Sequence, residues 1–244
     1  AALVTTASLV VAATALATIS DNAGTGLNAT DLSAIGAKTA GAVTVSNAVD
    51  ISGTTAEVTA ALVTTASLVV AATANVTISD AVTIAQLTAI DAKTSGTNTY
   101  TTISDTASNL ATNAGSYVTG SVDVTITDGI TAAELVTINA LTSGDITLND
   151  TNDTLTDSTA DLVSAFTGNV TAYTGAITIN DNAGTGLNAT DLSDIGGETS
   201  GVVTVSNAVV ISGTQAAVTA ALVTTASLVV AATALATISD NAGT

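Results

Sequence analysis

The chain has no cysteine, proline, methionine, tryptophan or histidine, and its only basic residues are Lys38 and Lys93. Without Cys or His there is no thiol nucleophile, no histidine-based catalysis and no histidine-rich metal site. Without Cys, an extracellular fold of this chain must hold with no disulfide. Twenty acidic residues against two cations give a net charge of −18. Two cations cannot neutralise a nucleic-acid backbone, so nucleic acid is excluded as a partner. An anionic membrane surface repels such a chain as well. The longest apolar stretch, residues 60–72 (AALVTTASLVVAA), is too short and too rich in Thr and Ala to span a bilayer. Membrane insertion is therefore not expected.

Aromatic residues are nearly absent too: Phe166, Tyr100, Tyr117 and Tyr173 are all there are. Residue type alone permits a carboxylate pair for glycoside hydrolysis. A sugar cleft, however, wants aromatic platforms, and these four residues are scattered along the chain. Glu57 and Glu134 fall at helix-capping positions, which gives them a structural role. The expectation is a protein that is not an enzyme.

What is abundant is small aliphatic side chain, with 47% of the residues hydrophobic. Ala, Val and Leu suit thin, regular layers. The acidic surplus favours solubility and attracts cations, and it repels itself in a compact stack unless screened.

Repetition dominates the rest. Residues 1–25 and 220–244 are identical (AALVTTASLVVAATALATISDNAGT), residues 60–74 repeat 1–15, and residues 19–65 closely match 178–224. The chain thus reads as one super-repeat of 219 residues plus a short overlap, a window of a longer tandem array. Within it, segments of the form hydrophobic-Thr-hydrophobic-polar-(Asp/Asn) end at Asp21, Asn47, Asp80, Asp105, Asp128, Asp150, Asp181, Asn207 and Asp240. Their spacings run from 22 to 33 residues.

One unit is seen most cleanly in residues 122–144, VDVTITDGITAAELVTINALTSG. Val122, Val124 and Ile126 alternate with polar residues, the period of a strand with one buried face. Asp128 and Gly129 break the strand, and Thr131 with Glu134 forms a capping box at a helix start. Leu135, Ile138 and Leu141 carry the helical spacing, and Gly144 sits where a left-handed C-cap would end the helix. Equivalent helix starts fall at Asn28, Thr54, Thr83, Thr106, Ser158, Asn188 and Thr214. Gly41, Gly96 and Gly201 close TAG or TSG stops like that at Gly144.

These patterns predict an α/β fold: a right-handed solenoid of about eight coils per super-repeat, one parallel strand and a short helix per coil. The alternative is an all-β parallel β-helix. Residues 1–244 form one continuous segment in either reading. The extra stretch at residues 62–73 and 222–233 is expected to extend a helix into a loop, and residues 149–157 to form a polar loop.

Two rows of side chains follow from stacking. Thr18, Thr44, Thr77, Thr102, Thr125, Thr147, Thr178, Thr204 and Thr237 would form one outward hydroxyl ladder. Such a ladder either bonds along exposed strands or makes a flat array that orders ice-like water. The second row is Asp21, Asp80, Asp105, Asp128, Asp150, Asp181 and Asp240. These carboxylates either cap their own turns or bind bridging Ca²⁺, which accepts carboxylate and carbonyl oxygens in flexible geometry. Asp150, Asn152, Asp153 and Asp157 make the best single candidate metal site.

The run ISDTASNLA at residues 103–111 resembles a motif that recurs in giant repeat proteins of bacterial cell surfaces. The Thr, Ala, Val, Asp and Gly bias is similar to that of very large surface proteins of marine cyanobacteria and other aquatic bacteria. The resemblance implies secretion, frequent association with Ca²⁺, and service in adhesion, motility or envelope structure. The expected function is a structural extracellular repeat protein forming a rod, filament or surface layer. Its partners would be neighbouring copies of itself, and on the alternative reading a cell-surface glycan or ice.

Overall fold

Helices begin where the sequence supplies a capping side chain. The computed structural model describes residue 12 and residues 14–67, 69–148, 154–171, 173–224 and 229–240. Among these residues there are eight α-helices: α1 Ala29–Gly36, α2 Thr55–Val58, α3 Ile84–Asp91, α4 Ala107–Thr112, α5 Ala132–Leu141, α6 Thr159–Ala165, α7 Ala189–Gly197 and α8 Gln215–Leu222. The N-caps are Asn28, Thr54, Thr83, Thr106, Thr131, Ser158, Asn188 and Thr214. Each side chain accepts an amide two or three residues on, relieving one of the orphan donors of a helix start. Full capping boxes close at Thr54–Glu57, Thr83–Gln86 and Thr131–Glu134.

Four residues past each N-cap stands the side chain that anchors the helix. Leu32, Leu87, Leu110, Leu135, Leu162 and Leu192 are all buried, as are Val58 and Val218. Cutting one of these leucines back to Ala costs about 2–5 kcal/mol, because both apolar transfer and cavity terms are lost.

The chain divides into two compact units, Ala1–Ser104 and Asp105–Thr244. In the first, β1 is Ala17–Ile19, β2 Gly26–Asn28, β3 Val43–Val45, β4 Asp50–Gly53, β5 Val69–Val70, β6 Asn75–Ile78 and β7 Asn98–Thr99, with β8, Thr102–Asp105, at the division. The second unit carries β9 Asp123–Ile126, β10 Ile146–Leu148, β11 Leu155–Asp157, β12 Ile177–Ile179, β13 Gly186–Asn188, β14 Val203–Val205, β15 Val210–Gly213, β16 Val229–Val230 and β17 Leu235–Ile238.

Pairing is parallel throughout the registered pairs. The first unit holds sheets β1-β3-β5 and β2-β4-β6-β7. The second holds β11-β12-β14-β16 and β13-β15-β17, and a further sheet contains β9 and β10. Apolar residues of these strands supply the core beside the helix leucines: Val43, Ile51, Val76, Ile146, Ile177, Val203 and Ile211 are at most 1% exposed.

This arrangement corrects the expected fold. In place of a right-handed solenoid with one strand per coil, the chain is a mixed α/β structure, with five small parallel sheets and eight helices among the described residues. The all-β alternative falls on those helices. The physical reason lies in a second class of strand. Ile51 in β4 pairs with Leu27 and with Val76, and Ile211 in β15 pairs with Leu187 and with Ala236. Such a strand, DISG in β4 and VISG in β15, buries a single residue of its four, so it shows no alternation to read. Strands of both classes are two to four residues long, and among the described residues each sheet holds three or four of them.

Other expectations are also refined. The stretch 62–73 is neither a simple helix nor a simple strand. A π-helical turn at Thr59–Val63 and a 3-10 turn at Thr65–Ser67 lead into β5. Gly144 is not a left-handed C-cap: positive φ among the glycines is found at Gly24, Gly115, Gly120 and Gly184.

Candidate functional site

The recurring Asp residues are the natural place to look for chemistry, and most of them turn out to hold helices. Asp80 Oδ1 accepts the Thr55 amide at 2.6 Å and the Thr55 hydroxyl at 2.8 Å. Asp128 Oδ1 accepts the Ala107 amide at 2.7 Å. Asp181 Oδ2 accepts both the amide and the hydroxyl of Thr159, at 2.8 and 2.7 Å. Asp240 Oδ2 accepts the Gln215 amide at 2.8 Å. In every case the donor is the first residue of a helix 21–25 positions earlier in the chain. Each carboxylate therefore caps the helix of the preceding repeat, where orphan amides and the helix dipole both favour negative charge.

Asp105 and Asp157 behave as turn caps of their own segments. They accept the amides of Thr106 and Ser158, both at 2.8 Å, and Asp105 also accepts Asn109 Nδ2 at 2.8 Å. Asp21 is held through its backbone carbonyl, which accepts Asn47 Nδ2 at 2.7 Å. Asn207 does the same to the carbonyl of Asp181, also at 2.7 Å. The two Asn positions that interrupt the Asp series thus replace a carboxylate cap by an amide that ties one strand end to the previous one. Asp150, Asn152 and Asp153 lie outside the described residues.

A second set of contacts, at the TAG and TSG stops, was visible in the sequence only as glycine punctuation. The Thr of each stop reaches back to a backbone carbonyl of the previous repeat: Thr39 to Ala15, Thr94 to Ala74, Thr142 to Val122 and Thr199 to Gly175. The same Thr oxygen accepts the amide of the glycine two residues on, at 2.9–3.0 Å. A Cβ added to Gly41, Gly96, Gly144 or Gly201 would fall inside van der Waals contact of those same carbonyls. Glycine is required there for close backbone approach, with no left-handed conformation involved. The recurring Thr two residues before it was the signal that could have revealed the motif.

The Thr series does not form one row. Thr18 pairs with Thr44, which then meets Val70. Thr77 sits in a different sheet from Thr44, between Ser52 and Thr99. Thr125 pairs with Thr147, and Thr156, Thr178 and Thr204 align before Val230 ends the run. Thr237 faces Ser212. Thr171 extends the Thr147 row through its hydroxyl at 3.2 Å, and valine closes two of the other rows.

Among the described residues Glu57 is the one acid whose ionisation is clearly shifted. The Thr54 amide, then the hydroxyls of Thr30 and Thr54, hold its carboxyl below the usual glutamate value, against desolvation and the charge of Asp80. Its Oε1 accepts the Thr30 hydroxyl at 2.9 Å, linking α2 to α1.

No group of three acidic, histidine or cysteine side chains capable of holding a metal occurs among the described residues. Calcium needs six to eight oxygens, and the described Asp carboxylates are distributed along the chain, with most of them bonded to protein donors. They do not fit a dense calcium site. No helix among the described residues is long and apolar enough to cross a membrane. Neither the family models, nor the curated proteins, nor the solved structures contain a match to this chain.

Proposed function

We propose that this chain is an extracellular structural element, a non-enzymatic building block of a filament or surface layer. Its work is mechanical. The observation that supports this reading most is the direction of its side-chain bonds. Asp80, Asp128, Asp181 and Asp240 each hold the helix start of the preceding repeat. The Thr-x-Gly stops likewise hold the preceding repeat's backbone. Polar side chains that an enzyme would turn toward a substrate are here turned toward the neighbouring repeat.

The surplus of acidic charge suits an exposed assembly in a salty medium, where the Debye length falls to about 8 Å or less and self-repulsion is screened. Diffuse cations, rather than a dedicated calcium site, are the stabilising partner this reading assigns. Matched ionic strengths of sodium and calcium chloride should then raise Tm equally, and a chelator should leave Tm unchanged. The short, valine-interrupted Thr rows argue against an ice-ordering face, so no thermal hysteresis is expected. Electron microscopy of native material tests the main reading: filaments or a continuous layer support it, and dispersed single particles overturn it.

A further inference from the structure

The chain's two cations stand in one sequence context. Lys38 and Lys93 each follow the C-cap of a helix and precede the Thr of a stop, in Ala37-Lys38-Thr39 and Ala92-Lys93-Thr94. In a chain with twenty acidic residues both would be expected to pair with a carboxylate. Among the described residues neither does. Asp91 lies two positions before Lys93, and its Oδ1 accepts Asn98 Nδ2 at 2.9 Å instead.

Each lysine lines a cavity of the first unit, and the two cavities share Thr65. The one beside Lys38 has about 450 Å³, and the rest of its lining is Gly, Ala and Thr, which gives a hydrocarbon nothing to lie against. The one beside Lys93, of about 330 Å³, is walled by Leu62, Val63, Val69 and Val70. An apolar cavity with a few polar groups is the usual form of a small-molecule site, and this volume falls at the lower end of the usual range of about 300–1,000 Å³. Leu62 and Val63 belong to the π-helical turn Thr59–Val63, which continues α2. The same five residues recur at 219–223, where the first four lie in α8. The π turn is thus set by its place against α3 rather than by its own sequence, and single π turns are frequent at functional sites.

We propose that this cavity binds a free aliphatic monocarboxylate, its tail against Leu62, Val63, Val69 and Val70 and its head group on the Lys93 ammonium and the Thr65 hydroxyl. Charge complementarity selects the head group, because Lys93 is the one charged residue in the lining. The net charge of −18 selects a single negative charge, because repulsion by the whole chain grows with every further charge on the ligand. Phosphates and polyanions are disfavoured on that ground. Tail length sets the affinity, each buried methylene strengthening binding about fourfold. The site goes beyond the structural reading above and does not depend on assembly.

The test is titration of the full chain with octanoate, followed by calorimetry and by the methyl NMR signals of Leu62, Val63, Val69 and Val70. Saturation at one octanoate per chain is expected, with those methyl signals shifting together. Hexanoate, two methylenes shorter, should bind about tenfold more weakly, and octanol, which lacks the charge, should also bind more weakly than octanoate. Lys93 is exposed, so Lys93→Gln should leave the melting curve unchanged. It should weaken octanoate about fivefold, the upper range for an exposed ion pair, and leave octanol unaffected. Lys38→Gln should change neither. If Lys93→Gln fails to fold, the comparison of octanoate with octanol on the unaltered chain carries the same decision. Octanoate that does not saturate, that shifts other methyl signals instead, or that binds no better than octanol overturns the assignment, as does unweakened binding to a folded Lys93→Gln.

Discussion

Residues 18–64 and 178–224 are near copies of one another, one in each compact unit, and they differ most tellingly at the helix start. The first reads Thr54-Thr55-Ala56-Glu57-Val58 and the second Thr214-Gln215-Ala216-Ala217-Val218. In the first, Glu57 completes a capping box and takes the Thr30 hydroxyl from the neighbouring helix. In the second, Ala217 can do neither. Yet α8 forms, with Thr214 capping the Ala217 amide and Asp240 holding the Gln215 amide. The first copy has the matching Asp80 bond and adds to it a second one through the Thr55 hydroxyl. What survives the sequence change is the bond supplied by the following strand. The local box is an addition to it.

That comparison can be broken most forcefully where the two copies agree. Gly41 and Gly201 both lie against a carbonyl of the previous repeat. Alanine at either position forces backbone apart, and overpacking of this kind costs about 1–3 kcal/mol. Equal losses of stability in urea unfolding are expected for Gly41→Ala and Gly201→Ala. A neutral result at either would mean that the close approach is not needed there. Next in size is the carboxylate cap. Asp80→Ala removes two bonds to Thr55 and should cost about 2 kcal/mol, whereas Asp240→Ala removes one and should cost about 1 kcal/mol. Amide exchange at Thr55 and Gln215 reads the two directly, and equal acceleration would contradict the difference.

The same contrast explains what could be read ahead of the coordinates. All eight helix starts were legible, from Asn28 to Thr214, because an N-cap is a local arrangement written within four residues. The buried residue four past each cap was legible for the same reason. The second strand class was not: β4 and β15 each bury a single residue, Ile51 or Ile211, and one buried residue sets no period. With those strands missed, the pairing partners were misassigned, and a single Thr row was expected where Thr44 and Thr77 belong to different sheets. The recurring Asp series was legible, but the partners of Asp80, Asp128, Asp181 and Asp240 lie 21–25 residues earlier, a distance at which sequence gives no pointer. The glycines of the TAG and TSG stops were found as well and given the wrong cause, since nothing local tells close approach from positive φ.

A smaller effect would install in the second copy what it lacks. Ala217→Glu places a carboxylate three residues after Thr214 and within the geometry that joins Glu57 to Thr30, with Thr190 standing where Thr30 does. A gain of about 0.5–1 kcal/mol is expected, in the range of capping contributions. An unchanged stability would show that the first copy's box depends on more than these residues.

The smallest expected difference between the copies is their response to acid. Glu57 has its folded pKa held below the ordinary value by the Thr54 amide, then by the Thr30 and Thr54 hydroxyls. A depressed carboxylate contributes stability that is complete above the ordinary glutamate value and is lost as pH falls through the lower, folded one. As pH falls below the ordinary glutamate value, amide protection at the α2 start, with the intrinsic exchange rate divided out, should therefore drop more than at the α8 start, where Ala217 has nothing to protonate. Asp80 bonds the α2 start and Asp240 the α8 start, so the informative quantity is the excess in α2. Glu57→Gln keeps an acceptor for Thr54 and removes the titration, and it should abolish that excess without unfolding α2. An excess that survives the substitution would show that the capping box is silent toward pH.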